Sequence, residues 1–157
     1  MVSLKEENYL QILFILSILV LSVAFIIEYI LGYQPCNLCV IERIPYGLSI
    51  IILFLNYNFG KNQIFYSILL MLVFSFSIII SIYHLGIEQG LIDESAVCLS
   101  KNLNLLTKED LLSSLQELRV SCKDVAFKVF GLSLTTYNIM ISIFMFLLSK
   151  KIYLLKK

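Results

Sequence analysis

Four cysteines carry the plainest chemistry in this chain, and two of them stand close together in Pro35-Cys36-Asn37-Leu38-Cys39. Two intervening residues let the sulfurs meet within one turn, giving either an exchangeable disulfide or half of a metal site. The pair lies where the chain enters an apolar stretch, and the backbone N–H groups at a helix N-terminus favour a thiolate over a thiol. Arg43 follows Cys39 by four residues. A helix brings both onto one face a turn apart, where a fixed positive charge stabilises the thiolate further. An arginine at a span end also snorkels to lipid headgroups; its place one turn after a cysteine pair favours the chemical role.

The other two cysteines, Cys98 and Cys122, have 23 residues between them. Bridging them would restrict the unfolded chain by about 3.5 kcal/mol, which taken alone describes a structural staple. Three uses of the four cysteines compete. A zinc site with four thiolate ligands suits the first pair, but the second lacks the close spacing that supplies two further ligands. A c-type haem needs a histidine after the second cysteine, where Val40 stands. A relay of two exchangeable disulfides needs both pairs on one side of a membrane. The single histidine, His84, falls at the end of an apolar run with Glu88 four residues later. It reads as an interfacial hydrogen-bonding residue, with proton handling as the sharper alternative.

The elements that must position these residues are membrane spans. The 157 residues are 59% hydrophobic and 15% charged, with a mean hydropathy of +0.90, whereas a soluble domain carries about 25% charged residues. A span needs about 20 largely apolar residues. Four qualify, at about 9–31, 41–59, 64–85 and 129–149. The first is too long for the apolar core of a signal peptide and has no small-residue cleavage pattern after it. Near-uniform hydrophobicity hides which side of each helix faces lipid. Residues 1–157 read as a single integral membrane domain.

Four spans put both termini on one side, and the loops at about 32–40 and 86–128 together on the other. All four cysteines therefore share a compartment, as the relay requires. Lys and Arg numbers on the two sides tie, and the lysines after the last span tip the termini towards the cytoplasm. Paired cysteines point their own side to an oxidising compartment. The longer loop is polar. Within it Thr107 and Asp110 resemble a capping box ahead of Leu111, Leu112, Leu115 and Leu118, which predicts a short amphipathic helix packing on the bundle or resting in the interface. A net charge of +1 gives no case for a nucleic-acid partner.

Residues Gly32 to Tyr46, read GYQPCNLCVIERIPY, resemble the signature of the DsbB family of membrane thiol–disulfide oxidoreductases. Tyr83-His84-Leu85-Gly86-Ile87-Glu88, Ser121-Cys122-Lys123-Asp124 and Phe130-Gly131-Leu132-Ser133 are similar to one branch of it. The resemblance covers essentially the whole chain. It implies an all-α membrane protein, a bundle of four transmembrane helices with the short amphipathic helix in its second periplasmic loop, in a bacterial inner membrane. It implies a relay in which Cys39 communicates with a quinone (ubiquinone or menaquinone) and Cys36 exchanges with the second pair through Cys122. Cys98 is joined transiently to a soluble DsbA-type thioredoxin-fold partner. Arg43 matches the arginine associated with the quinone headgroup, and His84 is a candidate beside it. No metal is expected.

The chain departs from the family in having no tryptophan, and Glu42 stands where glutamine is also common. A vitamin-K-epoxide-reductase-like enzyme shares the four-span quinone logic but usually carries its active pair late in the chain, near the last span. A scaffold whose cysteines bind metal or merely staple it is the remaining alternative. The sequence leaves the resting disulfide pattern open, since four cysteines permit three pairings.

Overall fold

The computed structural model describes residues 4–59, 62–94, 98, 121–123 and 128–156. Helix α1 (Leu4–Phe25) continues into a π-helical turn (Ile26–Ile30). A short α2 (Asn37–Ile41) leads through Glu42 and Arg43 into α3 (Ile44–Phe59), and α4 spans Gln63–Glu88. A two-stranded antiparallel hairpin, β1 (Lys128–Val129) with β2 (Leu132–Ser133), precedes α5 (Leu134–Lys156). Helix α1 packs on α3, α3 on α4, α4 on α5 and α5 back on α1, which closes a four-helix ring. Among the described residues, four stretches are long and apolar enough to cross a membrane: Glu7–Ile30, Asn37–Phe59, Gln63–Glu88 and Leu134–Lys156. The protein is an all-α, multi-pass membrane protein.

The ring is built inside out relative to a soluble bundle. Ile15, Phe54, Leu72, Ile79 and Leu147 are exposed, while Ser17, Ser49, Ser77, Ser81, Ser142 and Ser149 are buried. Lipid tails are as apolar as leucine, so small residues that let backbones approach, and hydroxyls that bond across helices, drive association instead. The buried residues of α4 are Gln63, Ser67, Leu70, Phe74, Ser77, Ser81, His84 and Ile87, alternating by threes and fours as a helix–helix seam requires. Helix α5 answers with Thr135, Ser142, Met145, Ser149 and Ile152. Ser17 and Ser49 bond across α1 and α3 at 2.7 Å. Tyr46 links α3 to α5 through Asn138 and Ser142, with Ser142 bonded to Ser77 at 2.9 Å and Asn138 donating to Ser81 at 2.7 Å.

Local signals fix the helix ends near the cysteines. At the end of α4, Leu91 N–H bonds to Gly86 C=O and Gly90 N–H to Ile87 C=O. This paired pattern needs a left-handed residue, which Gly90 supplies at φ 71°. The fourth span starts at Leu134, five residues later than hydropathy placed it. Phe130 and Gly131, both at positive φ, turn the chain back into the hairpin, and the Ser133 hydroxyl accepts from Thr136 N–H. The second span begins at Asn37 rather than 41, which draws Cys39 into its first turn. The amphipathic helix expected around Thr107–Leu118 lies outside the described residues.

Candidate functional site

Cys36 stands at the N-cap of α2, extended at ψ 168°, and its sulfur accepts the Cys39 backbone N–H at 3.2 Å. One turn of helix then brings the Cys39 sulfur to 2.7 Å from that of Cys36. On the far side of Cys36, His84 Nε2 from α4 lies 3.5 Å from the same sulfur. The Cys39 thiol, the Cys39 N–H and the His84 ring thus converge on Cys36. Its thiol is pulled down from 9.0 to about 5, chiefly by the Cys39 thiol hydrogen bond, with burial opposing and His84 and the Cys39 N–H assisting. Arg43, expected from the sequence to act beside Cys39, instead pairs with Glu28 from the π-helical turn of α1 and lies 5.4 Å over the Phe25 ring.

His84 is almost wholly buried and is held from behind. Its Nδ1 faces Glu42 Oε1 at 3.0 Å and Thr135 Oγ1 at 3.3 Å. Because a carboxylate only accepts, this arrangement places a proton on Nδ1 and leaves Nε2 facing the sulfurs. The Thr135 hydroxyl donates to Glu88 Oε1 at 2.6 Å, and that oxygen lies 3.8 Å from His84 Nε2. Glu88 Oε2 is buried and has no hydrogen-bond partner.

Cys98 and Cys122 form a disulfide, while Cys36 and Cys39 are free thiols. Both pairs share one buried cluster with Leu38, Ile87, Ile41 and Tyr83. Glu94 fastens the Cys122 segment to the end of α4, accepting from the Ser121 hydroxyl and from Lys123 N–H at 3.0 Å. These donors, Ser121 first, hold its carboxyl below the usual carboxylate range.

A cavity of about 360 Å³ opens on this cluster. Leu19, Val20, Val23 and Ala24 of α1 make one wall apolar. The other wall carries Cys36, Cys39, Arg43, His84, Glu88 and Asn138. Cys122 also lines it, whereas Cys98 does not. Apolar walls with a few convergent polar groups are what small-molecule sites share. Cys36, Cys39 and His84 also bring their ligand atoms within 4.8 Å of one another.

The family model described as "Disulfide bond formation protein DsbB" matches residues 6–151. The chain belongs to the DsbB family. It is thus a membrane thiol–disulfide oxidoreductase of the disulfide-forming class. "Uncharacterized protein RP370" of Rickettsia prowazekii (strain Madrid E) is 33% identical over 148 residues, covering 89% of this chain and 85% of the relative. No solved structure matches the chain.

Within this DsbB-family chain, all six residues singled out in the sequence lie at one end of the bundle. Cys36, Cys39, Arg43, His84 and Cys122 line one cavity, and Cys98 packs behind it. Sequence reasoning passed over the partners that hold them. Glu28, inside the first span, was not singled out, and Glu42 stood out only as a departure from the family. Both are ionisable residues inside apolar stretches, which by itself marks a functional site. Thr135 and Glu94 gave no such signal.

Proposed function

We propose that this protein is a quinone-dependent protein disulfide oxidase that reoxidises a DsbA-type periplasmic dithiol protein. The observation that carries the reading is the packing of two cysteine pairs into one buried cluster, with Cys122 on the same cavity as Cys36 and Cys39.

The path is the one the family resemblance implies, and the grouping of the sulfurs supports it. Cys98, away from the cavity, forms the transient mixed disulfide with the partner. Cys122 exchanges with Cys36, whose thiolate is stabilised by Cys39 and His84. Each exchange is attack of a thiolate on a disulfide sulfur, so electrons move in pairs and no atom is gained or lost. As Cys36 and Cys39 close their disulfide again, two electrons and two thiol protons leave the pair. His84, oriented by Glu42, stands where it can take the Cys36 proton, with Glu88 beyond it.

The quinone, ubiquinone or menaquinone, supplies a two-electron, two-proton acceptor. A DsbA-type partner is itself strongly oxidising, at about −120 mV, so its reoxidation needs a still more oxidising sink. Arg43 and His84 are the polar residues that would hold the headgroup, with the α1 wall against the tail. The reading places residues 1–157 as one domain in the bacterial inner membrane, with cytoplasmic termini and periplasmic cysteines.

The test is anaerobic oxidation of a reduced DsbA-type protein by the purified chain, with and without added quinone. Turnover that requires quinone and is lost in Cys39→Ser and in Cys98→Ser supports the path. Absence of turnover with all four cysteines intact would refute it.

A further inference from the structure

We propose that the dithiol form of this end of the bundle binds a thiophilic divalent cation, zinc in the first instance. Cys36 Sγ, Cys39 Sγ and His84 Nε2 serve as ligands, and the free oxygen of Glu88 takes the fourth position. The inference concerns the chain without quinone or partner, and it stands whether or not the electron path above is correct.

Geometry supports the ligand set. Zinc bonds to sulfur at about 2.3 Å and to imidazole nitrogen at about 2.0–2.1 Å, so a tetrahedral site separates a sulfur from a nitrogen by about 3.5 Å. Cys36 Sγ and His84 Nε2 are 3.5 Å apart. Two zinc-bound sulfurs stand about 3.8 Å apart, against 2.7 Å between Cys36 and Cys39. Turning the Cys39 side chain towards the cavity it lines opens that gap by about 1 Å without moving α2.

The surroundings are those of a metal-binding histidine. Such a residue almost always donates its second ring N–H to a carboxylate, which fixes the tautomer and aims the free nitrogen. Glu42 Oε1 does this for His84 at 3.0 Å. A second, independent observation comes from Glu88. Its side chain is 7% exposed and lines the cavity, with Oε1 occupied by Thr135 and Oε2 buried without a partner. A buried carboxylate oxygen lacking any donor is costly, and a cation beside His84 removes that cost. While Cys98 and Cys122 are joined to each other they offer no thiolate, so the site draws its sulfurs from the first pair.

The ion replaces the two thiol protons, Zn²⁺ + 2 RSH → Zn(SR)₂ + 2 H⁺, and no electron moves. The site therefore exists only while the pair is reduced. Closing the Cys36–Cys39 disulfide removes two ligands and releases the ion. A bound cation conversely holds the pair reduced and stops turnover reversibly, which makes the redox centre a zinc-sensitive one.

The experiment uses the full purified chain, reduced and held anaerobic in detergent, with zinc or cobalt alone as the probe. One equivalent should bind, and cobalt should show thiolate charge-transfer absorption with the strong visible bands of tetrahedral coordination. Zinc-edge X-ray absorption on the unaltered chain should find two sulfur and two nitrogen or oxygen neighbours. Glu42→Gln, which leaves every ligand in place, should weaken binding about 10-fold or more, and Cys98→Ser should leave it unchanged. Four sulfur neighbours, loss of binding in Cys98→Ser, equal affinity in Glu42→Gln, or no stoichiometric binding would each overturn the proposal.

Discussion

Ser17 in the middle of the bundle and His84 at its cysteine end are both buried polar residues on helices that cross the membrane, yet they are held in opposite ways. The Ser17 and Ser49 hydroxyls face each other at 2.7 Å, and each also has a carbonyl of its own helix within reach, Leu13 C=O and Tyr46 C=O, so that one of the two hydroxyls donates to the other and the other to its carbonyl. Every partner there is neutral and short-reached. His84 stands between a thiol and two carboxylates that arrive from different elements, one of them with an oxygen left over. The middle is a closed set of neutral bonds that holds helices together. The cysteine end keeps ionisable groups within reach of one another and of a cavity, at the cost of incomplete pairing.

If the two regions divide the work this way, substitutions in them should separate chemistry from stability. Cys36→Ala removes the sulfur on which the Cys39 thiol, the Cys39 N–H and His84 converge. Turnover of a reduced partner should fall by at least about 10³-fold, while unfolding in denaturing detergent shifts little. Phe74→Ala, fully buried in the central cluster with Tyr46, Leu70 and Met145, should do the reverse. It should cost about 3–5 kcal/mol of stability, with the activity of the fraction that remains folded largely preserved. Comparable losses of both properties in both variants would erase the distinction.

The pH response sharpens the comparison from the cysteine side. With its thiol at about 5, Cys36 is a thiolate throughout the neutral range and becomes a thiol as pH falls through that value. Thiolate absorbance at 240 nm in the reduced chain should therefore show a step near pH 5 that Cys36→Ala removes. In His84→Asn the step should move upward, towards the ordinary cysteine value, because one of the groups favouring the thiolate is gone. A single step near pH 8–9 in the unaltered chain, the ordinary range for cysteine, would place the reactive sulfur elsewhere.

Much of the fold was legible because membrane spans announce themselves by length, and the cysteines by spacing. The inner face of α4 was also written in the sequence. Ser67, Ser77, Ser81 and His84 sit on one seam, yet average hydrophobicity conceals it, since a serine among isoleucines barely alters the mean. The start of α5 was hidden for a different reason. Val129 and Phe130 are as apolar as any span residue, and only the positive φ at Phe130 and Gly131 turns them into a hairpin. The partners of the site were the least legible. Glu42 meets His84 across 42 positions, and Glu28 meets Arg43 through a π-helical turn that nothing in the local composition foretells.

The smallest expected effect tests the middle of the bundle most directly. Ser17→Ala removes one hydroxyl from the α1–α3 contact, and Ser49→Ala removes its partner. Hydrogen bonds between helices inside a bilayer average about 0.6 kcal/mol, because the separated helices also find partners in the membrane. Each single variant should therefore lower stability by about 0.5–1 kcal/mol. The double variant should lose less than the sum, since after the first substitution the second hydroxyl keeps only its bond to its own helix. A coupling near zero would mean that the serines act by their small size, letting α1 and α3 approach, and Ser17→Gly should then cost less than Ser17→Val. A coupling of about 0.6 kcal/mol or more would mean that the hydroxyls themselves bind the helices, and that the closed pairing of the middle is what frees the cysteine end to remain open.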